Sequence, residues 1–488
     1  MRRIALVVAL CVLLSGCVTP FAGAGEDETT PDVEAPEETE TTPVVHEDRP
    51  DPESDGLGWE DGYWHDDPIP VNATDGLNES EREAVIARAM ARVEVVRDME
   101  FGDPVNVSVV NRSSYSQEFG DGETGEALRT FDNAKFEALY LIGNDEDSIE
   151  TQNRNRNQTV AGFYSPAREA IVVVSDSKSP NLDGERTLAH ELVHALQDQH
   201  FDLNTSETPR TRDAYNGRNG LVEGDARAVE LEYMDRCETN WSCLPEQPAT
   251  GGAGDDGEPS IHLGVYVLSY FPYGDGVGYV SHLRDGSDWS AVNDAFDDPP
   301  STSAAVIDPE RYGSFEPEAV DLDDRARGGW ERVRPDSRPD HAVLGQSGLT
   351  AMFAYTLYDE YNQSAVVEPG EFLNQDLAGV NETDPFNYAL ETTRGWQGDR
   401  MHVYERDGER AYVWRLTWES PSDAERFADG YRDLLAHWGG EAAGDGVWIV
   451  SEDSPFDGAV SLDVEGDTVT IVGAPGESAL GDVRPGAG

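Results

Sequence analysis

An α+β fold is what this 488-residue sequence predicts, on three observations. The stretch "TLAHELVHALQDQHFDL", Thr187 to Leu203, keeps apolar residues at helical spacing and holds two histidines four positions apart. Just upstream, "TVAGFYSPAREAIVVVSD" reads as two strands around a Ser-Pro turn. From about Asn387 the pattern changes to strand pair, amphipathic helix and strand pair. These imply a helical domain with a small sheet, followed by a C-terminal β-β-α-β-β module.

The elements follow in order. "MRRIALVVALCVLLSGC" places two arginines before an apolar run too short to span a bilayer, so it reads as a targeting segment. Its end, "LSGC", resembles a lipobox. Residues 1–17 are then a lipoprotein signal peptide, and the mature chain begins at a lipidated Cys17. The protein would be exported and lipid-anchored on the outer face of the cell membrane. Cleavage elsewhere, with no lipid, is the plainer alternative. "RRIAL" loosely resembles a twin-arginine export signal. Residues 18–75 are rich in Glu, Thr, Pro and Asp, cannot bury a core, and read as a solvated acidic stalk.

Order is expected from Asn78. "NESEREAVIARAMARVEVVRDM" has an Asn cap, early acids and helical spacing, and "VNVSVVNRSSYS" alternates like a strand. After the strand pair and the histidine helix, "GLVEGDARAVELEYMDR" reads as a second helix. "GEPSIHLGVYVLSYFPYGDGVGYVSHLRD" reads as helix and loop around an FPYGDG turn, and "DHAVLGQSGLTAMFAYTLYDEY" contains another helix. In the C-terminal module, Ser420 caps a helix with Pro421 at its first position. The domain limits are 76–385 and 386–488.

Composition is globular, with 38% hydrophobic and 9% aromatic residues, but the charge is extreme: 97 acids against 35 bases give −62. Only Lys135 and Lys178 are lysines. Such a surface repels itself in dilute buffer and is screened at molar salt, so the composition reads as halophilic. It excludes nucleic acid as a partner and leaves the lipid as the link to the membrane. Beyond the leader, Cys237 and Cys243 sit close enough for a small-loop disulfide, with a metal-binding pair as the rival reading. Nine Asn-x-Ser/Thr sequons suit an exported surface protein.

The chemistry lies in H-E-x-x-H. Residues four apart share a helix face, so His190 and His194 can reach one tetrahedral metal, while Glu191 lies near enough to take a proton from a water activated there. Glu223, 29 positions after His194 on the second helix, is available as a third ligand. Gly224 leaves space beside it, and Asp225 can support a ligand histidine from behind.

"HELVHALQDQHFDL" followed by "EGDA" resembles the Glu-type zincins (gluzincins), the thermolysin-like metallopeptidases. The wider chain, with "FPYGDGVGYV", "DDPPSTSAAVIDPERY" and "GWQGDR", resembles a family of haloarchaeal surface lipoproteins with a zincin-like core. The resemblance implies a zincin-like domain with two metal-bearing helices and a small sheet. It implies Zn2+ held by His190, His194 and Glu223, with Glu191 as general base, acting on a peptide or protein substrate. The chain departs from the group in one respect: Glu223 stands in E-G-D-A rather than N-E-x-x-S/D. A non-catalytic envelope or binding protein retaining the fold is the alternative.

Other residues have plainer readings. His200 reads as a helix-end cation, Asp198 as a partner of His194 or a solvated acid, and Glu230 as a reserve ligand. Tyr270, Tyr273 and Tyr279 read as core aromatics, with an oxyanion donor among them as the sharper alternative, and His262 and His282 read in the same way. In "GWQGDR", Trp396 is expected to be buried and Asp399 to contact Arg400. The acids around Asp255, Asp256 and Asp321 to Asp324 read as solvated surface.

Overall fold

The computed structural model describes residues 49, 51–71, 76–117, 124–175, 184–203, 209–244, 261–311 and 315–487, excepting Ser337, Gln363, Leu377, Ala378 and Glu382. In chain order the elements begin with β1 (Trp59–Glu60), β2 (Tyr63–Trp64), α1 (Glu79–Arg97), β3 (Asn106–Val110), α2 (Arg112–Tyr115), α3 (Glu126–Ala138) and α4 (Ser148–Thr159). Next come β4 (Gly162–Ser165), β5 (Ala170–Val174), α5 (Glu185–Phe201), α6 (Arg212–Thr239), α7 (Leu263–Arg284), α8 (Ser290–Asp297) and α9 (Ser303–Ile307). The chain continues through β6 (Glu331–Arg332), α10 (Gly345–Ala354), α11 (Pro369–Phe372), β7 (Gln375–Asp376) and β8 (Gly379–Val380). It closes with β9 (Trp396–Arg406), β10 (Glu409–Trp418), α12 (Pro421–His437), β11 (Gly440–Gly444), β12 (Val447–Val450), β13 (Gly458–Glu465), β14 (Thr468–Ala474) and α13 (Glu477–Val483). The fold is mixed α+β, as expected. No described helix is long and apolar enough to cross a membrane.

Two compact units interleave along the chain. The first takes residues 1–122, 156–206 and 225–260, and the second 123–155, 207–224 and 261–488. In the first unit, α1 starts at a capping box: Asn78 Oδ1 accepts the Glu81 N–H at 3.0 Å, and Glu81 Oε2 accepts the Asn78 N–H at 2.9 Å. α1 is buried along most of its length, including three arginines. Buried charge must be answered. Arg88 and Arg92 each reach Glu185 at 2.6 Å, and Arg97 reaches Asp225 at 2.8 Å. Glu185 also accepts from Tyr233 and from the Leu244 N–H. The small sheet has the order β3-β5-β4, with β3 parallel and β4 antiparallel to β5. β5 is buried throughout, which explains its unbroken apolar run.

Folded structure begins earlier than Asn78. β1 and β2 pair as a hairpin inside the stretch read as stalk, and Tyr63 is buried. "WEDGYW" explains the difference: its aromatic residues supply apolar surface that the rest of the acidic stretch lacks. Asp61 (φ 43°) and Gly62 (φ 90°) form the two-residue turn that antiparallel strands favour.

The second unit is built on a seven-stranded antiparallel sheet of order β11-β12-β13-β14-β10-β9-β6. The expected β-β-α-β-β module is present in its first three elements, β9, β10 and α12, but four strands, β11 to β14, follow the helix where two were expected. The two-residue β6 adds the far edge, and α13 follows the last strand. α12 starts as expected, with Ser420 accepting the Asp423 N–H and Pro421 in the first turn. The expected loop in "FPYGDG" is absent: α7 runs through it unbroken, with Pro272 inside the helix. Close packing of glycines overrides the local turn signal. A Cβ on Gly276 would lie 2.4 Å from the Gly220 carbonyl oxygen, and one on Gly224 would lie 2.2 Å from that of Gly276. Gly224 therefore serves the approach of α7. Trp396 is buried, as expected, but Asp399 does not pair with Arg400. It accepts the Leu344 and Gly345 N–H groups and Trp414 Nε1, each at 2.9 Å, and so caps α10. Arg400 lies 3.4 Å from His341 Nε2.

Candidate metal centre

Helical periodicity puts His190 and His194 on one face of α5, and their rings meet edge to face with centroids 4.8 Å apart. Their Nε2 atoms lie 3.1 Å apart. Each Nδ1 faces an acceptor: His190 Nδ1 is 3.2 Å from Glu230 Oε2, and His194 Nδ1 is 2.9 Å from Gln197 Oε1. The protons therefore sit on Nδ1, and the two Nε2 lone pairs converge. Converging lone pairs leave a place for a cation between them. At zinc–nitrogen distances of about 2.0–2.1 Å, two nitrogens on one tetrahedral ion lie about 3.3 Å apart. The observed spacing fits.

Glu223 supplies the third donor. It is carried by α6. The ligand atoms of His190, His194 and Glu223 all lie within 4.8 Å of one another. All three residues are buried and can hold a metal ion; among the described residues no other group of three or more His, Cys, Asp and Glu does so. Two imidazoles and one carboxylate are a donor set suited to zinc with one open position.

The surroundings orient these donors. Glu230, read as a reserve ligand, stands outside that group and contacts His190, Arg186 at 3.0 Å and Arg227. Burial alone would push its carboxyl up, but the His190 hydrogen bond and the Arg227 charge outweigh it and hold the pKa at about 2. Gln197 passes the support of His194 onward: its Nε2 donates to Asp225 Oδ2 at 2.9 Å, and Arg97 holds the other Asp225 oxygen. Asp225 thus supports a ligand histidine through Gln197 and not by direct contact. Sequence reading missed Gln197, although it stands three residues after His194 on the same helix face.

Glu191 is buried beside the pair, and its Oε2 accepts the Tyr164 N–H of β4 at 2.7 Å. That bond occupies an edge N–H that an extended substrate would otherwise use. A cavity of about 10 Å3, lined in part by Thr187 and Glu191, lies here. It is no larger than one water. Asp198 does not orient His194: it accepts the Tyr164 hydroxyl and the Leu203 N–H, both at 2.8 Å. His200 Nε2 lies 2.8 Å from the Glu100 carbonyl oxygen. His262 Nδ1 accepts the Val265 N–H and caps α7. Tyr270, Tyr273 and Tyr279 are buried on α7, and His282 stands in its last turn.

Cys237 and Cys243 are joined in a disulfide at the end of α6, with Arg92 Nη1 3.3 Å from the Cys243 sulfur. Asp321, Asp323 and Asp324 are exposed. Cys17, the rest of the expected signal peptide, and Asp255 and Asp256 lie outside the described residues. Residues 331–484 match a family model described as a domain of unknown function, DUF8575. No curated protein and no solved structure matches the chain.

Proposed function

We propose that the protein is a zinc-dependent peptide-bond hydrolase of the Glu-type zincin kind, tethered outside the cell. His190, His194 and Glu223 hold the metal. The observation that carries this reading is the convergence of two Nε2 atoms at 3.1 Å, each ring locked from behind through Nδ1. Bound zinc supplies Lewis acidity and lowers the pKa of a water to about 7. Glu191 would serve as the general base there, its Oε2 held in place by the Tyr164 N–H. Peptides and proteins are the substrate class, and the lipid at Cys17 is the link to the membrane.

Burial favours a second reading. His190, Glu191 and Glu223 are each 1% exposed and His194 is 0% exposed. The adjoining 10 Å3 cavity has room for one water and not for a peptide. A non-catalytic envelope or binding protein that keeps the metal to stabilise its fold accounts for this enclosure. Metal analysis and a peptide-hydrolysis assay on the parent, Glu191→Ala and His194→Ala separate the two. The enzyme reading expects one zinc in the parent and in Glu191→Ala, hydrolysis only in the parent, and little metal in His194→Ala. A parent that binds zinc and cleaves nothing supports the second reading, and a parent without zinc removes both.

A further inference from the structure

Nineteen asparagines occur in the chain, and nine of them open an Asn-x-Ser/Thr sequon. Serine and threonine make up about one residue in nine, so chance alone places about two of the nineteen in that pattern. The sequons are more than the composition supplies.

The structure separates the nine. Asn72 and Asn204 lie outside the described residues. Asn78 and Asn157 are half-buried, one capping α1 and the other inside α4. Asn362 donates its amide nitrogen to the His437 carbonyl at 3.2 Å. Asn240 and Asn381 are exposed singly. Asn106 and Asn111 are exposed as a pair, one opening β3 and the other directly following it.

β3 is an end strand of the small sheet, and among the described strands it pairs with β5 alone. Its sequence, NVSVV, holds no charge, in a chain of which 27% of the residues are charged. Ser108 and Val109 are exposed on it. An uncharged edge of β-favouring residues pairs with other chains unless something covers it. Charge guards the rest of this surface and is missing here.

Each sequon also has the local order that an acceptor needs. Asn106 and Ser108, two apart on a strand, share a face. Asn111 Oδ1 accepts the Ser113 hydroxyl at 2.7 Å and the Ser114 N–H at 2.8 Å. Its oxygen is thus held from within, and its amide nitrogen has no acceptor among the described residues.

We propose that Asn106 and Asn111 carry N-linked saccharides, and that the pair covers the open edge of β3. The donor is a lipid-phosphate-linked oligosaccharide. The asparagine nitrogen forms the bond to C1 of the first sugar, the bond from C1 to the phosphate oxygen breaks, and the amide proton leaves with the released lipid phosphate. Glycans are bulky and soluble, and the two attachment points are about 17 Å apart along the strand, so together they overhang its length. The proposal rests on export, which belongs to the reading above, and on nothing at the metal centre.

The test uses protein isolated from its own organism. Trypsin, which cuts after Arg97 and Arg112, releases both asparagines in one peptide. Mass spectrometry should find that peptide with two saccharides in the parent, one in Ser108→Ala or Ser113→Ala, and none in the double variant. Ser108→Thr and Ser113→Thr, which keep the hydroxyl, should keep both. The double alanine variant should sediment as a larger species than the parent at equal concentration. Protease added to intact cells reports export separately. A bare peptide on protein that the protease reaches overturns this proposal alone, and a bare peptide on protein that it does not reach overturns export as well. Two saccharides, with parent and double variant sedimenting alike, overturn the role as a cover.

Discussion

The side-chain amide of Gln197 donates to Asp225 at 2.9 Å, and that bond decides which end of the amide faces His194. With its nitrogen held by a carboxylate, Gln197 can present only its oxygen to His194 Nδ1, so the Nε2 lone pair is left for the metal. Gln197→Met keeps the volume and removes both hydrogen bonds. Losing such support costs about 10–100-fold in metal affinity. Chelator competition should find the Met variant weakened by that much, and equal zinc affinity in variant and parent would sink the relay.

Protons compete with the metal for the same lone pairs. A histidine must be neutral to bind a metal, and a free imidazole takes up a proton at about pH 6.5. Zinc affinity should therefore fall steadily as pH drops from about 7.5 to 5 and recover on return. A dissociation constant flat across that range would show that the histidines are not the ligands.

Two buried carboxyls in the first unit give a stability effect of a defined sign. Glu60 of the hairpin and Glu94 of α1 lie together; burial, then the Glu94 charge, pushes the Glu60 pKa up, and burial pushes that of Glu94 up. Glu94 also accepts the Gly58 and Phe101 N–H groups at 2.7 and 2.9 Å. The native pair binds more protons than the unfolded chain, whose glutamates titrate near about 4.3. Its contribution is complete below that value and is lost as pH climbs toward the raised native values, through neutrality into mild alkali. Melting temperature should fall from pH 5 to pH 9, and Glu60→Gln, which keeps the contact without the charge, should flatten part of that slope. A slope identical in the variant refutes the assignment.

Salt should stabilise the whole chain. At −62, repulsion between surface carboxylates extends over a screening length of about 10 Å in 0.1 M salt and about 3 Å in 1 M. Thermal melts in a potassium chloride series should rise steadily. A melting point that does not change across the series would mean that the composition does not reflect a need for salt.

Periodicity made α5, α1 and the β4–β5 pair legible, because each buries one face or one run and its apolar residues record it. The same logic failed for α7, where Pro272 and three nearby glycines signal a turn. Their use is tertiary: Gly276 lets two helices touch, and no local pattern announces that. β6 has two residues, too few for any period, and joins the sheet only through its pairing with β9. At the metal centre the donors followed from spacing. Their supports did not, because charge draws attention to Asp198 and Asp225 while the contact to His194 is made by a neutral amide. Glu230 was visible as a carboxylate near the site, but its role depends on Arg186 and Arg227, which lie 44 and 3 residues from it.

The carboxylate of Glu185, at the first turn of α5, has a consequence for biosynthesis. Its partners Arg88 and Arg92 stand 97 and 93 residues before it, while Tyr233 and the Leu244 N–H stand 48 and 59 residues after it. The emerging chain therefore cannot anchor that helix until Leu244 has been made, and until then two arginines and a glutamate wait with incomplete partners. Contacts so distant in sequence slow folding and prolong the exposure of half-made surfaces. A ribosome stalled between Glu223 and Leu244 would hold a segment with all three proposed metal ligands already synthesised and its helix still lacking part of its anchor.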